Sequence, residues 1–239
     1  MPDGKLNDLT IYDAHADAWW SDEVRWVRAL KNMVPPRLRH FDRYVAWEGS
    51  EVLDLGCAGG FMAEALHDRG ARVSAIDPAA EAVAAARAHA EATGRDIAYA
   101  VGRGEALPYP DDAFDAVVCV DVLEHVEDWP TVLAEVARVL RPGGWFLFDT
   151  INRTAAARFA VVAMAEGVLR LLPRGTHDPA LFIRPADISR ELEGLGFVLA
   201  PLAGLGPVGV TRRGDPVFGR VPSRLVLYMG AARLTPPPD

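Results

Sequence analysis

The chain has 239 residues, half of them apolar, with 25 basic against 33 acidic side chains and a net charge of −8. That length buries one large core, and the apolar half excludes disorder over most of the chain. The acidic balance excludes a protein built chiefly to grip nucleic-acid phosphates, and the two cysteines, Cys57 and Cys119, exclude a disulfide scaffold and point to a reducing cytoplasmic setting.

The first ten residues are polar and lack a basic stretch followed by an apolar run, so no signal peptide is expected. Residues 1–48 read as helical. Trp19, Trp20, Val24, Val27 and Leu30 recur mostly at three- and four-residue steps, and Pro35-Pro36 is expected to interrupt the helix. From 50 to 150, short apolar runs alternate with amphipathic segments, and strands are expected at 51–55, 72–76, 97–101, 116–120 and 145–150. The clearest helix spans 128–140. Val132, Leu133, Val136, Val139 and Leu140 line one face, Asp128 is the expected N-cap, and Pro142-Gly143-Gly144 is the stop. This alternation predicts an α/β fold, a mostly parallel, doubly wound sheet with helices on both faces.

After 150 the alternation breaks. Residues 155–172 are apolar but for Arg158, Glu166 and Arg170, which share one arc of a helix, the last two as an i, i+4 pair. Such a helix is either buried on most sides or lies on a membrane surface or at the mouth of an apolar pocket. No stretch is long and apolar enough to span a membrane. A helix over 187–195 stopped by Gly196, a terminal strand over 224–230 and a loose tail over 235–239 complete the pattern.

The segment VLDLGCAGGF at 52–61 carries a buried strand into a glycine-rich turn and then a helix expected over 62–69. Glycines let backbone amides approach a ligand and tolerate the dihedrals of such a turn. Asp77 closes the next strand, 17 residues after Gly60, where an acidic side chain accepts the hydroxyls of a ribose. The glycines at 56, 59 and 60 miss the G-x-G-x-x-G spacing of nicotinamide dehydrogenases. Asp54 at the strand end is awkward beside a pyrophosphate but suits a cation. A ligand with a ribose, an ammonium and a sulfonium fits these residues, and S-adenosylmethionine has all three.

Four motifs, VLDLGCAGG at 52–60, AIDP at 75–78, FDAVVCVDVLEHVED at 114–128 and LRPGGWF at 140–146, resemble in order and spacing those of class I S-adenosylmethionine-dependent methyltransferases. The resemblance implies a seven-stranded sheet whose last strand, 224–230, is inserted antiparallel. It also implies that Gly56, Ala58, Gly59, Gly60, Asp77, Pro78, Glu105 and Val120 join Asp54 around the cofactor. Ala58 stands where that family has its second glycine. Arg103 stands where an acidic residue is common, which leaves Glu105 for the adenine side. The implied organisation is a helical cap over 1–48 and a methyltransferase domain over 49–239, with a helical, substrate- or lipid-facing insertion over 153–195.

The flanks resemble a narrower group, the ubiquinone-biosynthesis O-methyltransferases, in Ala18-Trp19-Trp20 with Met33 to Leu38, Ile151-Asn152-Arg153, PRGTHD at 173–178, FIRP at 182–185 and YMG at 228–230. That likeness implies methylation of a phenolic oxygen on a prenylated catechol or hydroquinone. It also implies peripheral membrane contact through 155–172, at the inner face of the membrane. The expected partner is thus a small aromatic acceptor, not nucleic acid. Competing readings are a C- or O-methyltransferase of secondary metabolism acting on a hydroxynaphthoquinone or polyketide, and a non-catalytic protein that retains the cofactor site.

Phenol methylation needs in-line alignment, exclusion of water and loss of the phenolic proton, whose pKa lies near 10. Asp121, Glu124 and His125 follow the fourth strand at its C-terminal end and share one face if that turn is helical. Two carboxylates and an imidazole suit a divalent ion, with magnesium the expected metal; His125 as a metal-free general base and a structural cluster are the alternatives. The narrower group has a divalent ion at matching positions, with a longer Glu where this chain has Asp121. Trp19, Trp20, Arg37, Arg153 and His177 are further candidates for the acceptor side, with packing or solvation as their ordinary roles.

Overall fold

The computed structural model describes residues 7, 10–168 and 173–236. Most of the N-terminal stretch read for a signal peptide, the end of the expected 155–172 helix with Arg170, and the last three residues of the tail lie outside the described residues.

Five strands rich in β-branched and aromatic residues form the parallel half of one sheet: β1 (Glu51–Leu55), β2 (Arg72–Asp77), β3 (Ile97–Val101), β4 (Phe114–Cys119) and β5 (Leu140–Ile151). Their order is β3-β2-β1-β4-β5, with Leu53 opposite both Ser74 and Val117, and Val117 opposite Phe146. Successive side chains point to opposite faces. Val52 and Ala116 therefore enter one buried cluster, while Leu53 and Val117 enter the other. On the first face lie α3 (Phe61–His67) and α4 (Ala80–Ala92); on the second lie α5 (Trp129–Val139) and α7 (Pro185–Gly194). The α5 helix follows its sequence pattern. Val132, Leu133, Val136 and Val139 are fully buried, and the Asp128 carboxylate accepts from the Thr131 amide.

Among the described residues the sheet has nine strand segments where seven were expected. The segments β6 (Phe197–Leu199) and β7 (Ala203–Val210) follow one another along a single edge of β9 (Leu227–Leu234), and β7 turns back as a hairpin into β8 (Pro216–Val221). Strand β9 is the antiparallel insertion, Phe148 opposite Gly230, and it starts later than the expected 224–230. Residues 224 and 225 stay in a loop because the side chains of Asn152 and Thr154 donate to their carbonyls.

Three helical expectations change. Helix α2 (Arg25–Phe41) continues through Pro35 and Pro36, while Trp19 and Trp20 precede it, following α1 (Thr10–Ala14) and a short turn at Ala16–Ala18. Proline in a helix interior costs about 3 kcal/mol. Burial of Val34, Leu38 and Phe41 against the sheet cluster, each worth about 1.5–3 kcal/mol, offsets that cost. The apolar segment after β5 forms one α-turn, α6 (Ala155–Arg158), and then widens into a π-helical stretch at Phe159–Val168. In that wider winding Glu166 does not share a solvent arc with Arg158. It is buried and accepts from the amides of Gly175 and His177. No helix among the described residues is long and apolar enough to cross a membrane.

Candidate active site

Chain order reverses between β1 and β4, which opens a crevice at the carboxyl ends of these strands, where open α/β sheets take ligands. The loops after β1 and β4 meet there. Gly56 has φ +82°, and a Cβ on it would come within 2.1 Å of Val122 Cγ2, so only glycine fits. A cavity of about 700 Å³ occupies the crevice. Gly56, Ala58, Asp77, Pro78, Glu105 and Val120 line it, as expected for the cofactor side. Gly59 and Gly60 shape the loop from behind, Gly59 packed against the Trp19 ring and Gly60 at φ +89° opening α3.

Two carboxylates test the fit of a ribose-bearing cation. The Asp77 oxygens each accept one backbone amide, from Ala58 at 2.9 Å and Ala79 at 2.8 Å, which aims the carboxylate and leaves lone pairs for hydroxyls. Asp54 lies beneath the loop, 1% exposed, and among the described residues neither of its oxygens has a hydrogen-bond partner. Burial, with Asp77 adding and the Ala63 amide and Arg37 opposing, pushes its pKa up to about 7. An unpartnered buried carboxylate below a glycine turn suits a cationic ligand above it. The residues present fit S-adenosylmethionine.

The metal expectation is not met. Asp121, in the left-handed region at φ +55°, has its Oδ1 2.5 Å from Arg37 Nη2, and its amide donates to buried Asp149. Arg37 is itself 2% exposed and donates from Nε to Asp149 at 2.5 Å, so its charge is committed to two carboxylates rather than to an acceptor headgroup. Glu124 is buried off the cavity and accepts from the Thr150 hydroxyl at 2.9 Å. Burial, then Asp121 and Asp149, pushes its carboxyl well above the usual range. His125, alone of the three with Asp121, lines the cavity, and its Nδ1 lies 2.7 Å from Asn7 Oδ1. Each of the three groups thus has a separate partner: Arg37 for Asp121, Thr150 for Glu124 and Asn7 for His125. Among the described residues no group of three or more His, Cys, Asp or Glu is disposed to hold a metal ion.

The acceptor-side candidates separate. Trp19 lines the cavity, whereas Trp20 stacks on His89 outside it and donates to the Gly59 carbonyl. Arg153 pins a loop by donating to the carbonyls of Ala180 and Phe182. His177 is buried behind His125, their rings 4.9 Å apart, and its Nδ1 lies 2.8 Å from Glu166 Oε1. Sequence reasoning missed Asn7, Tyr12 and Asp13, which cover the cavity from the N-terminal segment. Asp13 caps α4 by accepting from Glu81 and Ala82. Tyr12, whose hydroxyl is pushed far up by burial and by Asp121, Glu124 and Asp77, stacks on Trp19. None of the three sits in a recognisable pattern. Asp149 was missed too, although one acid inside the apolar run WFLFDT is a signal that a buried partner is required.

A family model described as a methyltransferase domain matches residues 53–148. A ubiquinone biosynthesis O-methyltransferase of Thiobacillus denitrificans is 41% identical over 200 residues, covering 83% of this chain and 85% of that protein. Another, of Chromobacterium violaceum, is 39% identical over 206 residues, covering 86% and 88%. Among solved structures, a magnesium protoporphyrin IX methyltransferase of Synechocystis with SAH bound superposes with a TM-score of 0.68 at 18% identity, over 96% of both chains, a likeness of fold.

Proposed function

This chain belongs to the family of the ubiquinone biosynthesis O-methyltransferases and is an S-adenosylmethionine-dependent methyltransferase, and from that premise we propose that it methylates a phenolic, catechol- or hydroquinone-like oxygen with His125 as general base. The observation that carries this reading is a single cavity with Asp77 and the glycine turn on one wall and His125 on another. Bound there, S-adenosylmethionine supplies an electrophilic methyl group carried on a sulfonium.

The protein's own part is to hold, cover and deprotonate. Burial, with His177 adding, pushes His125 down to about 3, so the imidazole is neutral and proton-accepting at any physiological pH. A base that weak takes the phenolic proton as the new carbon–oxygen bond forms, when the oxygen becomes far more acidic. The Tyr12 and Trp19 rings exclude water from the side of the N-terminal segment. Lipid contact belongs to the same reading. The exposed Phe159 on the segment after β5 and the exposed Leu225, next to Thr154, give a prenylated acceptor an apolar approach.

The test is transfer of a labelled methyl group to a panel of catechols and naphthohydroquinones. Label on oxygen of a catechol or quinol is expected; label on ring carbon would replace the reading with C-methylation. No metal is assigned a step, so excess chelator should change turnover by less than about twofold. A loss above about tenfold, restored by magnesium, would mean that Asp121 exchanges Arg37 for a cation. Flotation with anionic liposomes should carry the protein, and less so for Phe159→Ser.

A further inference from the structure

We propose that Asn7 is a positioning residue that fixes the tautomer of His125, holding the ring hydrogen on Nδ1 and leaving Nε2 as the proton acceptor. The proposal rests on His125 being the base, but the tautomer is a property of the free protein and is measured without turnover.

Donor and acceptor capacity decides the tautomer. Asn7 makes two contacts with the same residue, Nδ2 to the His125 carbonyl at 2.9 Å and Oδ1 against His125 Nδ1 at 2.7 Å. A backbone carbonyl only accepts, so the amide nitrogen must face it; the reversed amide would set two acceptors against each other. The orientation of Asn7 is therefore fixed by the main chain of the residue it serves. Its other end is then an oxygen, which also only accepts, and the imidazole nitrogen facing it must donate. His125 has one ring hydrogen when neutral, and it is used there. Among the described residues Nε2 has no hydrogen-bond partner, and His125 lines the cavity. The ring plane is braced from behind by His177, stacked at 27° and itself held by Glu166.

The main-chain setting of His125 is equally determined. Its amide donates to the Val122 carbonyl at 2.8 Å and closes the short turn Leu123–His125, so the carbonyl that orients Asn7 does not drift. Asn7 belongs to the same N-terminal segment as Tyr12 and Asp13, which cover the cofactor side of the cavity. The group that sets the base in its accepting form is thus part of the same segment as the cover that excludes water.

The test is nitrogen NMR of the full chain labelled with 15N-histidine, where the two ring nitrogens report which one carries the hydrogen. The His125 signals are identified by their loss in His125→Gln. In the unaltered protein His125 should show a protonated Nδ1 and an unprotonated Nε2; a protonated Nε2 would overturn the proposal with no variant needed. In Asn7→Leu the hydrogen should redistribute toward Nε2, and kcat should fall about 10- to 100-fold with cofactor affinity changed less than about threefold. Asn7→Asp keeps the accepting oxygen and should hold the Nδ1–H form, but it sets its second oxygen against the His125 carbonyl, so kcat should recover only in part. An unaltered tautomer and kcat in Asn7→Leu would refute the assignment. A His125→Ala enzyme that still turns over, beside an unprotonated Nε2 in the unaltered protein, would support the tautomer and sink only the base.

Discussion

At the scale of single residues the site rests on two groups held in states unusual for their type. His125 is neutral far below the ordinary histidine range, and truncating a general base typically costs 10²–10⁴ in rate. His125→Ala should therefore lose at least about 100-fold in kcat while binding S-adenosylmethionine within about threefold of the unaltered enzyme, by calorimetry beside single-turnover rates. Asp54 is the opposite case. In the unfolded chain a carboxyl ionises near 3.9, whereas burial raises this one to about 7 in the folded protein. Between those values the folded state binds more protons than the unfolded state, so the contribution of Asp54 to stability is lost as pH rises toward and through 7. Asp54→Asn, which has no charge to desolvate, should melt progressively higher than the unaltered protein as the pH is raised from 5 to 8 without cofactor. Saturating S-adenosylmethionine should reverse the order, because its cationic charge favours the ionised carboxylate. A melting difference that is flat across pH would show that Asp54 is not the strained group.

At the scale of elements, sequence and structure agree wherever one buried face is enough to specify an element. The α5 pattern of Val132, Leu133, Val136 and Val139 and the strands around Leu53 and Val117 were legible for that reason. Disagreement arises where tertiary burial overrides local preference, and α2 is the clearest instance. Its prolines are strong local stop signals, yet Leu38 and Phe41 beyond them reach the same cluster as Val52 and Ala63. The stretch after β5 departs for a related reason. Glu166 turns inward to His177, a contact eleven residues away that a helical wheel does not register. Asn7 was likewise illegible because its partner stands 118 positions along the chain. If α2 is held by burial against its own preference, then the exposed Pro35 imposes a net strain. Pro35→Ala should stabilise the protein by about 1–2 kcal/mol, the restored helical donor less the entropy that proline removes from the unfolded chain. Denaturant unfolding at constant m-value measures it, and a destabilised variant would mean that the bend itself is needed for packing.

At the scale of the whole molecule, the chain up to Phe41 serves two purposes with a boundary at the start of α2. Helix α2 is inside the fold. It contributes Val34, Leu38 and Phe41 to the main cluster, and Arg37 neutralises buried Asp149. The residues before it are attached to the outside. Trp19 packs with Trp26, at the start of α2, and with Ala79 and Ala82 in a small cluster over the cofactor loops, joined by Asp13 capping α4 and by Trp20 donating to Gly59. Removing residues 1–24 should therefore leave a cooperatively folding protein, because the sheet clusters and the Arg37–Asp149 pair remain. The same deletion takes away Asn7, Tyr12, Asp13 and Trp19 from the cavity wall, so affinity for S-adenosylmethionine should fall at least about tenfold, and methyl transfer further, since water exclusion and the orientation of His125 go with it. Removing residues 1–41 takes α2 as well and leaves Asp149 buried without its cation, a loss of about 3–5 kcal/mol before any apolar burial is counted. That longer deletion should not fold. Circular dichroism and thermal melts of the two truncations distinguish a cover from a structural element, and equal behaviour in both would place the boundary elsewhere.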